Sequence, residues 1–408
     1  MKSDVQVTVI GGGIVGCSVL YWLAKMGWTD TVLLERRELT SGSTWHAAGN
    51  TTYFGPYAEM TRLFAGSIRT YLQAEAESGH PVGFHQTGSL RLATTPRERE
   101  LFHAFEPKYQ ALDIPYRVVS NEELAALHPA VVTDGLHGAA HTPTDGHVDP
   151  SGATQALAKS ARKMGATVER QCPVDSLSRV GGAWVLETLK GRVRAQHVVV
   201  AASFWTRELL LPLGLNVPLY AIQHHEMITD TVPDLARMDH EVPAIRDSYV
   251  SCSVRQEGHG LFCGIYEKNP KFWALDGIPK DFKEELFAPD IDRLLPHLEK
   301  LMIRMPPFGE AGIKTINNGP MCFTPDGIPL LGPVKGHCGL WLASGFNVGI
   351  GTGGGSGEFL AHWMTQGSTP YALPIVHPDR FGNEMTLDQA TASITACYGK
   401  GYLLPGAI

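Results

Sequence analysis

The stretch from Val5 to Glu35 restricts the fold more than any other. Val5–Ile10 reads VQVTVI, a short β-branched run, and it feeds Gly11-Gly12-Gly13-Ile14-Val15-Gly16. Gly11, Gly13 and Gly16 fit G-x-G-x-x-G. A helical pattern follows from Cys17 to Met26, then a second apolar run, Thr31–Leu34, ending at Glu35. Strand, glycine turn, helix, strand and acid is the order of a dinucleotide-binding βαβ unit. Gly11 makes the tight turn, Gly13 admits a pyrophosphate against the backbone, and Gly16 lets helix and strand pack closely. The helix N-terminus, with Ile14 and Val15 in its first turn, offers free N–H groups and a positive dipole end. Glu35 falls about 20 residues beyond the glycines, where a carboxylate accepts from a ribose. NAD and FAD share this fingerprint, so it sets a nucleotide fold and leaves the cofactor open.

The following segment narrows the choice. From Arg36 the chain runs RRELTSGSTWHAAGN to Asn50. The part from Glu38 to Gly49, ELTSGSTWHAAG, resembles the flavin domain of the dimethylglycine and sarcosine dehydrogenase family, within the D-amino-acid-oxidase-like flavoproteins. The resemblance implies FAD, and a histidine joined covalently to the flavin 8α-methyl group. It places that attachment at His46, with Arg36, Gly42, Ser43, Thr44, Ala48, Gly49 and Asn50 around the cofactor. Read without that context, His46 is a histidine with no such bond. The resemblance also puts the Val174 backbone at the adenine, and Ala201, Ala202 and Ser203 near the ribose and phosphates. Most relatives have glycine where Ser203 stands, which is a departure.

The implied fold is α/β: a glutathione-reductase-like FAD-binding domain with an antiparallel-sheet substrate domain. The expected boundaries are 1–82, 145–215 and 312–380 for the discontinuous FAD-binding domain. Residues 83–144 and 216–311 form the substrate domain, and 381–408 a C-terminal tail. At 408 residues the chain is long enough for two packed domains.

Elements along the chain follow from periodicity. Helices are expected over Tyr57–Glu77, Thr95–Leu112, Asn121–His128 (capped by Ser120 and supported by Glu123), Pro150–Met164 and Ala288–Met302. Thr51–Pro56 should lie beside the flavin because it follows His46. Gly83–Ala93 alternates as a strand or hairpin. Strands are expected at Ala166–Glu169, Pro173–Arg179, Trp184–Thr188 and Val193–Ala202, the last nearly all apolar as in a strand covered on both faces. Val217–Thr229 and Pro243–Tyr266 alternate, with turns at Asp247–Val250 and Glu257–Gly260. Gly312–Thr324 and Gly339–Ser344 add two more strands.

A second glycine-rich stretch, Gly345–Gly357, reads as a loop entering a helix over Glu358–Thr365. A helix N-terminus there stabilises the negative charge of a reduced flavin. The resemblance sets Phe346, Asn347, Val348, Gly349, Ile350 and Gly351 against that edge of the ring. Asp379–Gly382 echoes a family segment that closes the flavin domain, and Thr386–Tyr398 is a short helix in the tail. Longer members of the family continue into a folate-binding half, so the resemblance leaves two alternatives, a separate folate-binding subunit as partner or a chain that is a fragment of a longer protein.

Composition removes several classes. Lys plus Arg is 34 against 41 Asp plus Glu, net −7, which argues against a nucleic-acid surface. No run of 18 apolar residues appears, and the first strand begins too near Met1 for a targeting segment. The expectation is a cytoplasmic protein with no membrane span. Seven cysteines with no C-x-x-C pattern suit a reducing compartment. The 17 histidines are mostly scattered, so no metal is expected.

The implied chemistry is oxidation of a C–N bond in a small N-methylated amino acid or related amine, by hydride transfer to flavin N5 and hydrolysis of the iminium. Gln223-His224-His225-Glu226 resembles a run in which the first histidine faces the flavin. His224 is then a base or electrostatic partner; otherwise it is a structural histidine on a sheet. Arg255 would pair with a substrate carboxylate, or else is a solvated surface arginine. Relatives carry two tyrosines just before that arginine, where this chain has Cys252 and Ser253. Tyr249 or Tyr266 compensates on this reading; Tyr266 lines the pocket, and Lys314 is a weaker carboxylate partner. The electron acceptor, oxygen or an electron-transfer protein, stays open. Rival readings are oxidation of another secondary amine or imino acid, an aromatic hydroxylase, and a non-catalytic flavin subunit of a larger complex.

Overall fold

The computed structural model describes residues 2–55, 57–404 and 406–407. Pro56, at the end of the segment expected beside the flavin, lies outside the described residues, as do Met1 and, in the tail, Pro405 and Ile408.

The chain opens with β1 (Asp4–Ile10), α1 (Ile14–Lys25), β2 (Thr31–Leu34), β3 (Asn50–Thr51) and α2 (Ala58–Ser78). Then come β4 (Ser89–Leu92), α3 (Pro96–Ala111), β5 (Arg117–Val119), α4 (Asn121–Leu127), β6 (Ala139–Thr142), β7 (Gly146–His147) and α5 (Pro150–Lys163). They are followed by β8 (Thr167–Glu169), β9 (Val174–Val180), β10 (Ala183–Thr188), β11 (Gly191–Val200), α6 (Thr206–Leu210), β12 (Tyr220–Thr229), α7 (Pro233–Ala236), β13 (Ala244–Asp247), β14 (Cys252–Glu257), β15 (Gly260–Ile265) and β16 (Phe272–Trp273). The last elements are α8 (Leu295–Arg304), α9 (Pro306–Glu310), β17 (Ile313–Phe323), β18 (Leu330–Pro333), β19 (Leu340–Ser344), α10 (Gly349–Gln366) and α11 (Leu387–Tyr398).

Two sheets carry the architecture. The first runs β18-β19-β11-β1-β2-β8, with β10 and β9 continuing from the N-terminal half of β11. Its centre is parallel. The central strands are apolar along their length because helices cover one face and the β9–β10 side with 203–219 the other. The second sheet runs β16-β12-β15-β14-β13-β4-β6-β5, with β17 on the far side of β12. It is antiparallel except where β13 lies parallel to β4. Helix α8 packs Leu298 and Leu301 against its back.

The helix boundaries expected for α2, α3 and α5 fit to within one residue at each end, and α4 has the full capping box of Ser120 and Glu123. Four expectations are corrected. Residues 312–324 were placed with the nucleotide fold; as β17 they pair along β12 in the second sheet. The helix expected from Ala288 starts at Leu295, after a 3-10 turn, because Pro289 and Asp290 break the first turn. Strand β18, which reverses along β19, has no alternating pattern in its LLGP sequence.

The fourth concerns the glycine-rich stretch, which is helix from Gly349 onward rather than loop to Gly357. Its glycines let α10 lie against α1 and α2. A Cβ at Gly357 would sit 2.2 Å from Ser18 Oγ, and one at Gly355 2.2 Å from the Leu63 carbonyl oxygen. Ser18 Oγ donates to the Gly354 carbonyl at 3.0 Å, and Gly355 N–H donates to Ser67 Oγ at 2.9 Å. Each interior glycine costs about 1 kcal/mol of helix propensity, which this contact offsets.

Candidate active site

A cavity of about 1160 Å³ runs between the two sheets. At one end, β1 delivers the chain to Gly11, where φ is +113° and a Cβ would lie 2.4 Å from the Ala201 carbonyl oxygen, so no side chain fits. Gly11, Gly12, Gly13, Ile14 and Val15 line the cavity; Gly16 does not. A Cβ at Gly16 would lie 2.0 Å from the Gly11 carbonyl oxygen, so its part is to let α1 pack on the turn. No acidic side chain sits in the first turn of α1, where the Ile14 N–H donates to Thr44 Oγ1 at 3.2 Å, so the positive end of its dipole faces the cavity.

Glu35, at the end of β2, accepts from the Gly12 N–H at 2.6 Å and the Arg37 N–H at 2.7 Å. Burial raises its pKa, and these backbone donors oppose the shift. A carboxylate has further lone pairs for a ribose. Arg36 stacks on Trp205 at 4.7 Å. Val174 and Ala202 complete this end, and Ser203 adopts φ +52°, the left-handed turn for which glycine is the usual residue. At the other side Phe346, Asn347, Val348, Gly349, Ile350 and Gly351 line the wall at the start of α10, which also has no acidic first turn.

The loop after Glu35 crosses from the first sheet to the second. Ser43 Oγ donates to the Pro320 carbonyl at 2.8 Å, and the Ala48 carbonyl accepts from Arg255 Nε at 3.0 Å. Gly42, Ser43, Thr44, His46, Ala48, Gly49 and Asn50 all line the cavity. The His46 ring sits over Gly319, where a Cβ would be 2.5 Å from its Cε1. Gly319 is the cross-strand partner of His224, so a glycine on β17 makes the room for His46 beside His224. Burial lowers the His46 pKa to about 4, and Nε2 has no hydrogen-bond partner among the described residues. His46 is therefore a neutral imidazole at neutral pH with a nitrogen left over.

The second sheet supplies the opposite wall. His224 and Glu226 on β12 face the cavity, while His225 between them points away and accepts from the Asp290 N–H. His224 Nδ1 meets the Tyr398 hydroxyl at 2.9 Å. Burial, His225 and His46 bring its pKa to about 3, so it is a neutral hydrogen-bonding group. Tyr266 lies 4.8 Å from the His224 ring and edge-on to Tyr402. The register then sets Glu226, Gly264, Ser253, Arg246 and Arg91 in one row across β12, β15, β14, β13 and β4. All five line the cavity.

Arg255 is a correction. It is not among the residues that line the cavity. It is buried against Phe262 and spends its donors on Glu257, the Gln256 carbonyl and the Ala48 carbonyl. Alternation puts Arg255 on the same face as Ser253, but one cross-strand pair further along β14, and the guanidinia that reach the cavity are Arg91 and Arg246. Arg246 Nη1 and Arg91 Nε have no hydrogen-bond partner among the described residues. Burial and the charge of Arg246 lower the Arg91 pKa to about 10. Tyr249 is 57 % exposed and Lys314 is exposed on β17, so neither joins the site.

Of the two tyrosines expected to stand in at Cys252 and Ser253, Tyr266 lines the cavity and Tyr249 does not, and the tail adds two more phenols. Cys252 faces the rear core, and only Ser253 faces the cavity. Helix α11 buries Ile394 and Tyr398, and Tyr398 and Tyr402 bring two phenols to the wall. Tyr398 also donates to Glu267 at 2.7 Å, and Arg91 holds the Tyr402 carbonyl at 3.0 Å. Sequence reasoning missed Arg91, Arg246, Glu226, Gly319, Tyr398 and Tyr402. Alternation from His224 would have found Glu226; nothing local points to the tail.

Outside the cavity, His85, His147 and Glu241 converge, with their ligand-type atoms within 4.8 Å of one another. The carboxylate already bridges the two imidazoles at 2.8 and 3.3 Å.

These features fit a flavin dinucleotide: a glycine cradle at a helix start, a ribose acid, an unpartnered imidazole nitrogen and a second helix start. Comparison with known proteins agrees. The family described as "DAO: FAD dependent oxidoreductase" matches residues 6–363. Mitochondrial dimethylglycine dehydrogenase of Mus musculus is 40% identical over 98% of this chain and 46% of its own. Mitochondrial sarcosine dehydrogenase of Homo sapiens is 35% identical over 90% of this chain and 40% of its own. The chain thus spans about half the length of the curated relatives it matches. L-proline dehydrogenase from P. horikoshii superposes with a TM-score of 0.82 at 24% identity, over 93% of this chain and 98% of that one, and shows the same fold.

Proposed function

Because the chain belongs to the FAD-dependent oxidoreductase family, we propose that it oxidises the C–N bond of a small N-methylated amino acid, with FAD attached through His46. When bound, FAD supplies the acceptor for the hydride that leaves the carbon next to nitrogen. The protein's part is to hold that carbon at the ring. The observation that carries the reading is the cavity wall itself: two arginines on the same sheet face as His224, each with one guanidinium nitrogen that has no partner among the described residues. Arg91 and Arg246 are placed to take a substrate carboxylate bidentately. His224, neutral and fixed by Tyr398, offers Nε2 to the amine side. The phenols of Tyr266, Tyr398 and Tyr402 line the cavity around His224. Water then adds to the iminium, and the products are the demethylated amine and formaldehyde.

Covalent attachment is supported by the neutral His46 imidazole, whose free lone pair is the form that can bond carbon. A reducing, cytoplasmic setting belongs to the same reading. No helix among the described residues is long and apolar enough to cross a membrane. Uptake of the released carbon by a folate-binding partner, and of electrons by oxygen or an electron-transfer protein, belongs to the same reading.

Two measurements test it. Purified protein run on a denaturing gel should fluoresce under ultraviolet light at the chain's mass; a dark band removes the covalent bond. Dimethylglycine, sarcosine and longer N-methyl amino acids are then added without oxygen. Bleaching of the flavin by at least one of them is expected. A flavin that no amine bleaches overturns the oxidation.

A further inference from the structure

The carboxylate of Glu226 has no part in the reading above, yet it lies at the other end of the row that holds Arg246 and Arg91. Glu226 is 7 % exposed, lines the cavity, and its Oε2 has no hydrogen-bond partner among the described residues. A buried carboxyl oxygen left in this way costs stability unless a ligand satisfies it. The residues between the two ends, Gly264 and Ser253, are small. Three strand spacings of about 4.8 Å separate Glu226 from Arg246, so a trough some 14 Å long at backbone level runs from acid to base.

We infer that Glu226 recognises the cationic nitrogen of the substrate, so that the row binds a zwitterion with its ammonium toward β12 and its carboxylate toward β13 and β4. This rests on the proposed amine substrate and names the residue that selects its charge. His224, two residues back on the same face, lies next to where the nitrogen is held. A ligand bearing only the carboxylate leaves Glu226 unpaired, and one bearing only the cation leaves two guanidinia unpaired. Selectivity therefore comes from both ends.

The charged and titratable groups packed around Glu226 are His224 on its own strand, Tyr266 beyond β15, Arg255 on β14 and His46 from the crossing loop. Burial raises the Glu226 pKa to about 8, against the nearby Arg255 charge and the Ala48 N–H, which lower it. His46 and His224 are neutral well below that pH, and Tyr266 loses its proton far above it. Between pH 6 and pH 9, roughly, Glu226 is the group among these whose charge changes.

The test uses the flavin-loaded protein and two ligands that cannot be oxidised at nitrogen. Glycine betaine carries a permanent cation; 3,3-dimethylbutanoate is its uncharged isostere with the same carboxylate. Calorimetric titration should show the wild type preferring betaine by roughly ten-fold or more, a preference that grows as pH rises through about 8. Glu226→Gln should cut the preference to about two-fold and flatten its pH dependence, while Glu226→Asp retains part of both. A Gln variant with undiminished preference, or a wild type with none, overturns the inference. If Gln unfolds, the pH dependence in the wild type and the Asp variant decides it. Should betaine preference hold while no amine bleaches the flavin, the oxidation fails and the cation site stands.

Discussion

The two walls of the cavity are made of different material. The wall on the first sheet is backbone: glycines at 11 and 13, two helix starts, and an acid whose partners are N–H groups. The wall on the second sheet is side chain: two arginines, a glutamate, a histidine and three phenols. A backbone wall recognises what every flavin dinucleotide shares and is intolerant of added atoms. A side-chain wall recognises what differs between substrates and can change one residue at a time.

Substitutions can break or sharpen that contrast. The largest effect is expected from Gly11→Ala, whose Cβ would lie 2.4 Å from the Ala201 carbonyl oxygen at φ +113°. It should cost about 2–4 kcal/mol and strip the flavin, read by melting temperature and the absorbance of the purified protein. Retention of full flavin would show that the backbone wall yields. His46→Ala comes next: flavin fluorescence should leave the denatured chain entirely, while native protein still holds some FAD. Arg246→Ala should raise KM for an N-methyl amino acid about 10- to 100-fold, the worth of a charge-assisted hydrogen-bond pair, and leave flavin content unchanged. Tyr398→Phe removes the hydroxyl that joins His224 and Glu267. A loss of about 1–2 kcal/mol is expected, seen as a melting point lower by a few degrees. The smallest effect is expected from Arg255→Ala. Its preference for an amino acid over the same amine without the carboxylate should stay within about two-fold of wild type, because Arg255 bonds protein groups only. A collapse of that preference would return Arg255 to the site.

The backbone wall was legible from the sequence because its parts are local. The turn at Gly11–Gly16 and the acid at Glu35 lie within one βαβ unit that strand and helix period fixes, and the loop through His46 at its exit carries a contiguous family-like segment. Gly349–Gly351 were legible as cofactor-side residues for the same reason, although the helix begins there and not at Glu358. A glycine run reads as loop by propensity, and only contact with α1 and α2 makes helix the better state.

The side-chain wall was legible one strand at a time. The family resemblance pointed to His224 and Tyr266, which both line the cavity, but Arg255 and Arg246 look equally suitable in sequence. Which of them reaches the cavity is decided by how β13, β14 and β4 register against one another. By itself, then, the sequence determined the nucleotide cradle, the family's fold and the loop that brings His46 to the cavity. Tertiary structure alone decided that Arg91, Arg246 and Glu226 share a row, that Gly319 makes space for His46, and that the tail delivers Tyr398 and Tyr402. Those contacts join residues tens to hundreds of positions apart, and cross-strand register and helix docking, which set them, leave no local period in the chain.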